Sequence, residues 1–577
     1  MQALVVGVVV WAFVAVLKWA VHVGLSWTMA LLERADTVLA VLVPLLLGAG
    51  CVAALSRYRS ATVHYRDGEE RLHTLNAVEG DGLERAIALY FASEPTFERA
   101  LLGNQGLAAR WRLPTFSLAV RKMLASWCTL CSGGAGGLEA SVTLVGESTA
   151  AGLFKPRSLS GILPASPEGK TRVRLGPLQR GIDWWRGGTS DDLQAAQLCG
   201  IAAAIATLLG TPFAAAFFAI EVIYRRRPII DRLIYALVSA LIAFFLNHLV
   251  TGAHSPFPYV PSSPPLYVGR YYLALSALAI TMGVLSSGFR ALRGWADHAF
   301  HTSFSPVQRH LAGALGAGLL AIVAVSLLAW LGWKMPAGAS GTRALWLVLG
   351  PGENIIDWSL DGQIGLGVAL ISLAARFAAT VCTIASGGSA GLLFPTLTFG
   401  CLTASAWAAL FDFDAALLVV PAMTASLASV ANVPLAAIML VVEGFGAQWT
   451  VPSMFVLVLA SVFAHRNSIY RAQRESFDRG QILPGVSVRR IRVPTAWAGM
   501  DLRSLGVRER YSLTVIGMVD RREQSDGTLD ERIVLNPPPT QALSRGDMLI
   551  VLGEDERIDR FAAESDEENS RRVAGRE

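Results

Sequence analysis

Two cassettes decide how this sequence folds, and each occurs once in either half of the chain. The first reads SGGAGGLEAS at Ser132–Ser141 and SGGSAGLLFP at Ser386–Pro395. The second reads TPFAAAFFAIEV at Thr211–Val222 and VPLAAIMLVVEG at Val433–Gly444, with a proline and a glutamate nine positions apart both times. Doubled apolar halves interrupted by Gly or Pro at corresponding positions are typical of ion or solute pathways built from broken helices. The duplication therefore indicates such a pathway across a membrane.

The composition excludes an ordinary soluble protein. Of 577 residues, 53% are hydrophobic and 16% are charged, and the mean hydropathy is +0.46. Soluble domains carry roughly 25% charged residues. Uncharged runs at 233–250, 271–289 and 311–333 reach the roughly 20-residue length of a spanning helix. The uncharged run 377–411 is rich in glycine, which predicts a chain that bends back inside the membrane.

The positions of the charged residues indicate how the chain is oriented in the membrane, and they say little about binding partners. The net charge is only +5, and Arg225–Arg227 follow an apolar segment, which favours the cytoplasmic side for that end. The sequence has no P-loop, nucleic-acid motif or zinc-ligand spacing. Neither a nucleic-acid partner nor a metal site is therefore expected. A membrane-embedded enzyme is disfavoured because no nucleophile–base pair stands out.

The composition changes near residue 485. Beyond that point Arg, Asp and Glu become frequent, and short apolar runs at 513–519, 533–535 and 548–552 are separated by Pro and Gly. Runs of this length and spacing predict a small α+β domain outside the membrane. The division is therefore 1–484 for the membrane part, with halves of roughly 1–250 and 251–484, then 485–564 for the small domain. A polar disordered tail is predicted at 565–577.

The membrane part resembles the CLC family of chloride channels and proton/chloride antiporters over roughly Met1–Ser476. The family motif Gly-(Lys/Arg)-Glu-Gly-Pro corresponds to 137–141, with Gly146 at the expected distance downstream, and Gly-x-Phe-x-Pro corresponds to 391–395. The family's Gly-Ser-Gly-Ile-Pro has its weakest counterpart at 80–84, GDGLE. The resemblance implies an all-α polytopic membrane protein with two inverted repeats, broken re-entrant helices and a small α+β cytosolic domain. It also implies a homodimer in the cell membrane with one chloride pathway per subunit and no cofactor.

Glycine-rich turns that open helices inside the membrane explain how such a pathway holds an anion. Helix amino termini carry unpaired N–H groups and a partial positive charge, which favour a dehydrated anion. The alternative is that these glycines only let helices pack closely. By resemblance, a tyrosine hydroxyl contributes to the innermost anion site. The candidate anion-binding residues are Asp81, Gly82, Gly137, Leu138, Leu392, Leu393, Phe394 and Tyr470.

Glu139 is the candidate gating residue. An ionisable side chain amid apolar membrane sequence is costly and marks a functional site by default. By resemblance, its carboxylate occupies an anion site until an anion or a proton displaces it. A purely structural buried glutamate is the alternative. Glu221 and Glu443 recur symmetrically in the second cassette, and we expect them to be structural.

Two positions depart from the family pattern. Val222 stands where coupled antiporters of the family have a second, intracellular glutamate, and valine cannot carry a proton. We therefore expect channel-like or weakly proton-coupled chloride transport, with a proton-coupled antiporter as the alternative. Asp81 stands where a serine hydroxyl is expected, and an ionised carboxylate there would repel chloride by several kcal/mol. This departure also leaves open a non-conducting membrane sensor.

The end of the chain resembles the carboxy-terminal RCK (TrkA-C) module of potassium transport regulators. The similarity lies in MDLRSLG at 500–506, LTVIG at 513–517 and LSRGDMLIVLG at 543–553, and it spans roughly Val488–Phe561. Such modules pair as dimers and bind small regulatory ligands, including nucleotides. The resemblance implies a cytoplasmic regulatory domain.

Overall fold

The fold is described from a computed structural model. It covers the chain except residues 1, 59–61, 67–71, 77, 92, 94–113, 155–189, 225–227, 253–262, 465–467, 471, 474–479, 484–485, 495–496, 524–528, 545–546, 555–556, 559 and 562–577. The predicted basic cluster Arg225–Arg227 and the predicted disordered tail 565–577 lie outside the described residues. The chain forms two compact units, a helical one and a smaller one near the carboxyl terminus.

The helical unit is built from sixteen α-helices among the described residues. Within the described part of the chain, eight helices are long and apolar enough to cross a membrane. A hairpin of two antiparallel strands, β1 (Thr62–Arg66) and β2 (Leu72–Asn76), follows the second helix. The helices are α1 (Gln2–Ala35), α2 (Leu42–Tyr58), α3 (Gly82–Phe91), α4 (Phe116–Cys131), α5 (Glu139–Leu153), α6 (Ser190–Leu209), α7 (Pro212–Glu221), α8 (Leu233–Thr251), α9 (Gly269–Ser303), α10 (Pro306–Trp330), α11 (Glu353–Leu360), α12 (Leu366–Ala385), α13 (Leu393–Phe411), α14 (Ala415–Ala431), α15 (Pro434–Phe445) and α16 (Thr450–Ala464).

Several helices are too short to span a bilayer, as the interrupted cassettes predict. The ten residues of α3 or α7 extend about 15 Å, half the thickness of the hydrocarbon core. Pro212 and Pro434 stand at the first positions of α7 and α15, where proline costs no hydrogen bond. The prediction of an inverted-repeat membrane fold with broken helices is confirmed.

Close contacts also join longer helices of this unit. Gly146 of α5 and Gly200 of α6 face each other so tightly that a Cβ on either would collide with the carbonyl oxygen of the other. Small residues permit such close approach of helix backbones in membranes. In the second half, the rings of Phe289, Phe377 and Phe399 pack with centroids 4.9–5.3 Å apart. The first contact holds α5 in place, and the second holds α13.

The second unit is the predicted α+β domain. Its sheet has five antiparallel strands in the order β3-β4-β7-β5-β6, and two short helices pack with it. Asp501 caps the first of these helices by accepting from Ser504 N–H at 2.8 Å, and the hydrogen bonds from Ser504 lower the pKa of Asp501. The elements are β3 (Gly480–Leu483), β4 (Val486–Arg492), α17 (Leu502–Leu505), α18 (Val507–Tyr511), β5 (Thr514–Glu523), β6 (Leu529–Leu535) and β7 (Met548–Glu554).

This unit has its own apolar core. Leu549 and Val551 of the central strand β7 are fully buried, and Trp497 stacks on Phe561 with ring centroids 5.1 Å apart. Leu513 and Ile558 close the same cluster. A core of this kind is what lets a small domain fold by itself.

We expect Leu549→Ala to destabilise this domain. Removing a fully buried leucine side chain costs about 2–5 kcal/mol of unfolding free energy. Urea unfolding of residues 485–564 measures the loss. Leu535→Ala is the matched control, since that side chain is 73% exposed and should change stability by less than about 0.5 kcal/mol. Equal losses in the two variants would contradict the core described above.

Candidate functional site

The two glycine cassettes meet in the interior of the helical unit. Gly137 N–H donates to Gly391 O at 2.9 Å, and Gly391 N–H donates to Gly137 O at 2.6 Å, which forms a short antiparallel bridge. Directly after the bridge, α5 begins at Glu139 and α13 begins at Leu393. The amino termini of two helices, one from each half, therefore open at the same place.

Glu139 lies in the crevice beside this bridge. Its side chain is 1% exposed, and its carboxylate packs against Gly137 and Gly391, at positions that a Cβ on either glycine would occupy. The amides of Glu139 itself and of Phe394 face the carboxylate. Neither carboxylate oxygen reaches hydrogen-bond geometry with a described residue. The group is thus held by position and by nearby amides rather than by fixed bonds.

Asp81 lies at a third helix start next to the same crevice. One carboxylate oxygen accepts from Leu83 N–H at 2.8 Å, which caps α3, and the other accepts from Leu392 N–H at 3.2 Å. The side chain is 5% exposed and interacts electrostatically with Glu139. The Asp81 carboxylate therefore binds the Leu392 amide, which the sequence predicts to be an anion-binding group.

A buried cation accompanies these carboxylates. Lys122 of α4 is fully buried, and its Nζ donates to Gly80 O at 2.7 Å and to Val78 O at 3.4 Å. It interacts electrostatically with Asp81. A Cβ at Gly82 would collide with Ala140 O and reach 3.0 Å from Lys122 Cε, so only glycine fits there. Lys122 thus holds the loop that carries Asp81.

The segment before Asp81 is fastened to two further helices. Glu79 pairs with Arg309, accepts from Ser56, and lies 3.3 Å from His310 Nε2. Gly80 N–H donates to Gly387 O at 3.3 Å, which makes a second backbone link between the halves. These contacts place the Gly80–Asp81 turn beside Ser386–Pro395, the second copy of the glycine cassette.

The glutamates of the second cassette cap helices in the opposite half. Glu221 accepts from Leu435 and Ala436 N–H, both at 3.0 Å, at the start of α15. Glu443 accepts from Phe213 and Ala214 N–H at 2.9 and 2.7 Å, at the start of α7. Each glutamate satisfies amides that a helix start leaves without partners. This reciprocal geometry agrees with the structural role expected for both.

Tyr470 and Val222 lie near the same group of helices. Tyr470 is 1% exposed and close enough to Asp81 and Glu139 to interact with both electrostatically. Its N–H donates to Ser468 Oγ at 3.2 Å. Val222 is fully buried at the end of α7, and its carbonyl accepts from Gln473 Nε2 at 2.7 Å. The structure therefore brings Asp81, Glu139 and Tyr470 together, whereas Val222 lies at the far end of α7 from the start that Glu443 caps.

A small cavity adjoins Glu139. Its volume is about 20 Å³, which suffices for one water-sized species. Leu393 and Phe394 line it from the start of α13, while Leu138 and Leu392 are the buried residues that precede α5 and α13. The remaining lining is apolar: Ile205, Leu209, Ala214, Phe218, Leu397, Leu427, Ala436 and Leu440.

Three charged residues of this region were missed by sequence reasoning. Lys122 is a buried charge in apolar α4, and Glu147 is a second glutamate within α5. Arg376 of α12 is fully buried, donates to the carbonyls of residues 348–351, and interacts electrostatically with Glu139. A charged residue within an otherwise apolar helix was the available signal in each case.

This arrangement defines a class: membrane proteins with inverted repeats whose broken helices point their amino termini at a shared interior site. The model for the voltage gated chloride channel family matches residues 93–465, and the TrkA-C domain model matches residues 487–565. The chain belongs to the voltage gated chloride channel family. Its smaller unit carries a TrkA-C domain.

The relatives that this chain matches have low sequence identity to it. The chain is 24% identical over 284 residues to the voltage-gated ClC-type chloride channel ClcB of Citrobacter koseri, covering 47% of this chain and 63% of that protein. It is 25% identical over 301 residues to a chloride/fluoride channel protein of Pseudomonas syringae pv. tomato, covering 49% and 59%. The matches thus span about six tenths of these relatives.

A solved structure shows the same fold. A CLC-type fluoride/proton antiporter superposes with a TM-score of 0.58 at 20% identity, covering 82% of this chain and 97% of that one. The expected resemblance to the CLC fold is confirmed by this superposition.

We expect Gly391→Ala to destabilise the site. The added Cβ would lie 2.7 Å from Glu139 Oε2 and 2.8 Å from Ala140 N, so backbone must shift. Overpacking of this kind costs about 1–3 kcal/mol. Thermal unfolding in detergent measures the effect. Gly288→Ala is the control, because no atom lies within 4 Å of the added Cβ. Unfolding midpoints that do not differ between the two variants would show that the crevice is looser than described.

Proposed function

We propose that this protein transports anions, with chloride as the default ion, through a CLC-type pathway in each subunit of a homodimer. The observation that carries the proposal is the buried Glu139 carboxylate between the starts of α5 and α13. Amide groups and helix dipoles that hold a carboxylate there can also hold a chloride ion. A transport role also fits the family better than an enzyme or a non-conducting sensor.

Glu139 acts as the gate in this proposal. Its carboxylate is a tethered anion that occupies the pathway, and a free anion or a proton displaces it. The amides of Glu139 and Phe394 face this carboxylate, but neither oxygen is in close hydrogen-bond geometry with a described residue, so fewer directed bonds oppose its displacement. Glu221 and Glu443, with two hydrogen bonds each, are fixed by comparison.

Asp81 tunes the inner part of the pathway. Its carboxylate takes the Leu392 amide, which is one of the proposed anion-binding groups, along with Gly82, Gly137, Leu138, Leu393 and Phe394. Lys122 offsets the charge of Asp81. An anion therefore gains the full amide site only when Asp81 is protonated or turned away. Tyr470 contributes its hydroxyl to the same region.

Proton coupling is proposed to be weak. Val222 supplies no titratable group at the end of α7, which favours channel-like transport. A proton-coupled antiporter is the second candidate, supported by the fold shared with a fluoride/proton antiporter.

The smaller domain is proposed to regulate transport from the cytoplasm. The TrkA-C match covers 487–565, and the domain limits 485–564 follow it closely. We propose that it pairs with its copy in the dimer and binds a small ligand such as a nucleotide. The membrane part, 1–484, is proposed to lie in the cell membrane in contact with lipid.

Chloride uptake into proteoliposomes tests the transport proposal, and we expect the purified chain to carry radiolabelled chloride. In Glu139→Gln and Glu139→Ala, uptake should become faster and lose its dependence on pH, because the competing negative charge is gone. Glu33→Gln is the matched control, since Glu33 pairs with Arg343 away from the crevice. Uptake with an unchanged pH response in both Glu139 variants would refute the gating role.

We expect Asp81→Ser to bind chloride more tightly near neutral pH. Removing a negative charge beside the site should improve affinity about tenfold or more, which corresponds to about 1.4 kcal/mol. Isothermal titration with chloride and bromide gives the affinities. Asp36→Ser, at an exposed position after α1, serves as the control. Coinciding affinities of wild type and Asp81→Ser would mean that Asp81 does not face the pathway.

A further inference from the structure

A polar stripe runs along one face of α5. Glu139, Thr143 and Glu147 follow one another at a spacing of four residues, which places them on the same side of the helix. All three side chains are buried. Glu147 is a second carboxylate on this helix, and the proposed function has so far given it no role.

Glu147 has hydrogen-bond partners for both oxygens. Ser148 Oγ donates to Oε2 at 2.7 Å, and Gln197 Nε2 donates to Oε1 at 2.6 Å. The Ser148 hydroxyl can also accept a hydrogen bond, so the carboxyl group keeps a partner when it carries a proton. A buried carboxyl group with such partners can exist in either protonation state without an unsatisfied polar atom.

Glu147 lies on a helix that begins at the crevice, and a hydrogen-bond link to α3 and α6 fixes its position. Both α3 and α5 begin there, and Gln197 Nε2 links their later turns by donating to Leu89 O at 3.3 Å as well as to Glu147. Eight residues along α5 place Glu147 about 12 Å from Glu139 along the helix axis. Thr143 lies halfway, and its hydroxyl donates to Ala140 O at 2.7 Å.

Val222 lies toward the same end of the helices. Shortly after α7 ends, Ile229 N–H donates to Ile220 O at 3.1 Å, and Arg232 donates to Gln194 Oε1 at 3.2 Å. Gln194 stands one turn before Gln197 on α6. Hydrogen bonds made by residues 229 and 232 thus connect the end of α7, at Val222, with the turn of α6 whose Gln197 binds Glu147.

Other charged groups stand on the helices around α5 among the described residues. Lys122 of α4 and Asp81 before α3 are at the crevice. Lys18 of α1 donates to Leu208 O at 3.2 Å, near the crevice end of α6. Arg85 of α3 is buried and donates to Glu79 O at 3.4 Å, and Arg232 donates to Gln194 Oε1 and Tyr90 Oη, both at 3.2 Å. Further charged side chains on these helices are Glu84, Arg121 and Asp192.

We propose that Glu147 is the second proton-binding carboxyl group of the pathway and serves in place of the glutamate that Val222 lacks. This rests on the proposed anion transport and gives its weak proton coupling a route. The O–H bond of protonated Glu139 breaks, an O–H bond forms on ionised Glu147, and the negative charge moves to Glu139. The Thr143 hydroxyl relays the proton: it turns away from Ala140 O, accepts a proton from a water molecule on the Glu139 side and gives its own proton to a water molecule on the Glu147 side. One such water bridges each step of about 6 Å along the helix axis.

Proteoliposomes that hold the full-length chain and a chloride gradient test the proposal by simultaneous recording of chloride and pH. Wild type should move protons against their gradient at a low rate. Glu147→Gln, which keeps the shape and the acceptor oxygen, should lower proton flux at least tenfold while chloride flux stays within twofold. Thr143→Val, which removes the hydroxyl at constant shape, should also lower proton flux. Glu33→Gln, a carboxylate outside the stripe, should change neither.

The outcomes separate this inference from the proposed function. Chloride flux without proton movement in wild type, or wild-type proton flux in Glu147→Gln, overturns the role of Glu147 and leaves anion transport standing. Absence of chloride flux in wild type overturns the proposed function itself. If Glu147→Gln does not fold, Thr143→Val decides, and undiminished proton flux in that variant overturns the relay.

Discussion

A helix that begins inside a membrane leaves its first amide groups without partners, and no water is present in the hydrocarbon to satisfy them. The membrane part of this chain depends on how it meets that constraint. Carboxylates stand at its interior helix starts: Asp81 at α3, Glu139 beside α5 and α13, Glu443 at α7 and Glu221 at α15. Glu221 and Glu443 come from the half opposite to the helix that each caps, and Asp81 also binds the Leu392 amide before α13, so satisfying the amides ties the two halves together.

These carboxylates divide by how firmly they are held. Glu221 and Glu443 each accept two backbone hydrogen bonds within 3.0 Å, and charged hydrogen bonds of this kind contribute about 1.5–3 kcal/mol apiece. Glu139 lies among amides without reaching such geometry with a described residue. The same chemistry thus yields caps with two hydrogen bonds at the starts of α7 and α15, and a less firmly bonded carboxylate at α5 and α13. In the proposed function, this difference in bonding separates the structural glutamates from the gating glutamate.

The duplicated cassettes predicted the inverted repeats and placed Glu139 at their meeting point, because a motif repeated in both halves must be used by both. The interior hydrogen bonds were beyond sequence reasoning. Asp81 reaches an amide 311 positions away, and Lys122 binds the Gly80 carbonyl 42 positions before it. No local pattern encodes such pairings, since they arise only when the halves pack. The roles of Glu139, Asp81 and Tyr470 in transport stay predictions.

The reciprocal caps have a consequence for biosynthesis. Pro212 and Glu221 are synthesised and inserted into the membrane long before Glu443. The first amides of α7 therefore lack their hydrogen-bond acceptor while more than two hundred further residues are inserted. Neither half can reach its final form ahead of the other. A nascent first half therefore presents a polar defect in the lipid, which a quality-control protease or a membrane chaperone can recognise. Assembly of the halves conceals that defect in both at the same moment.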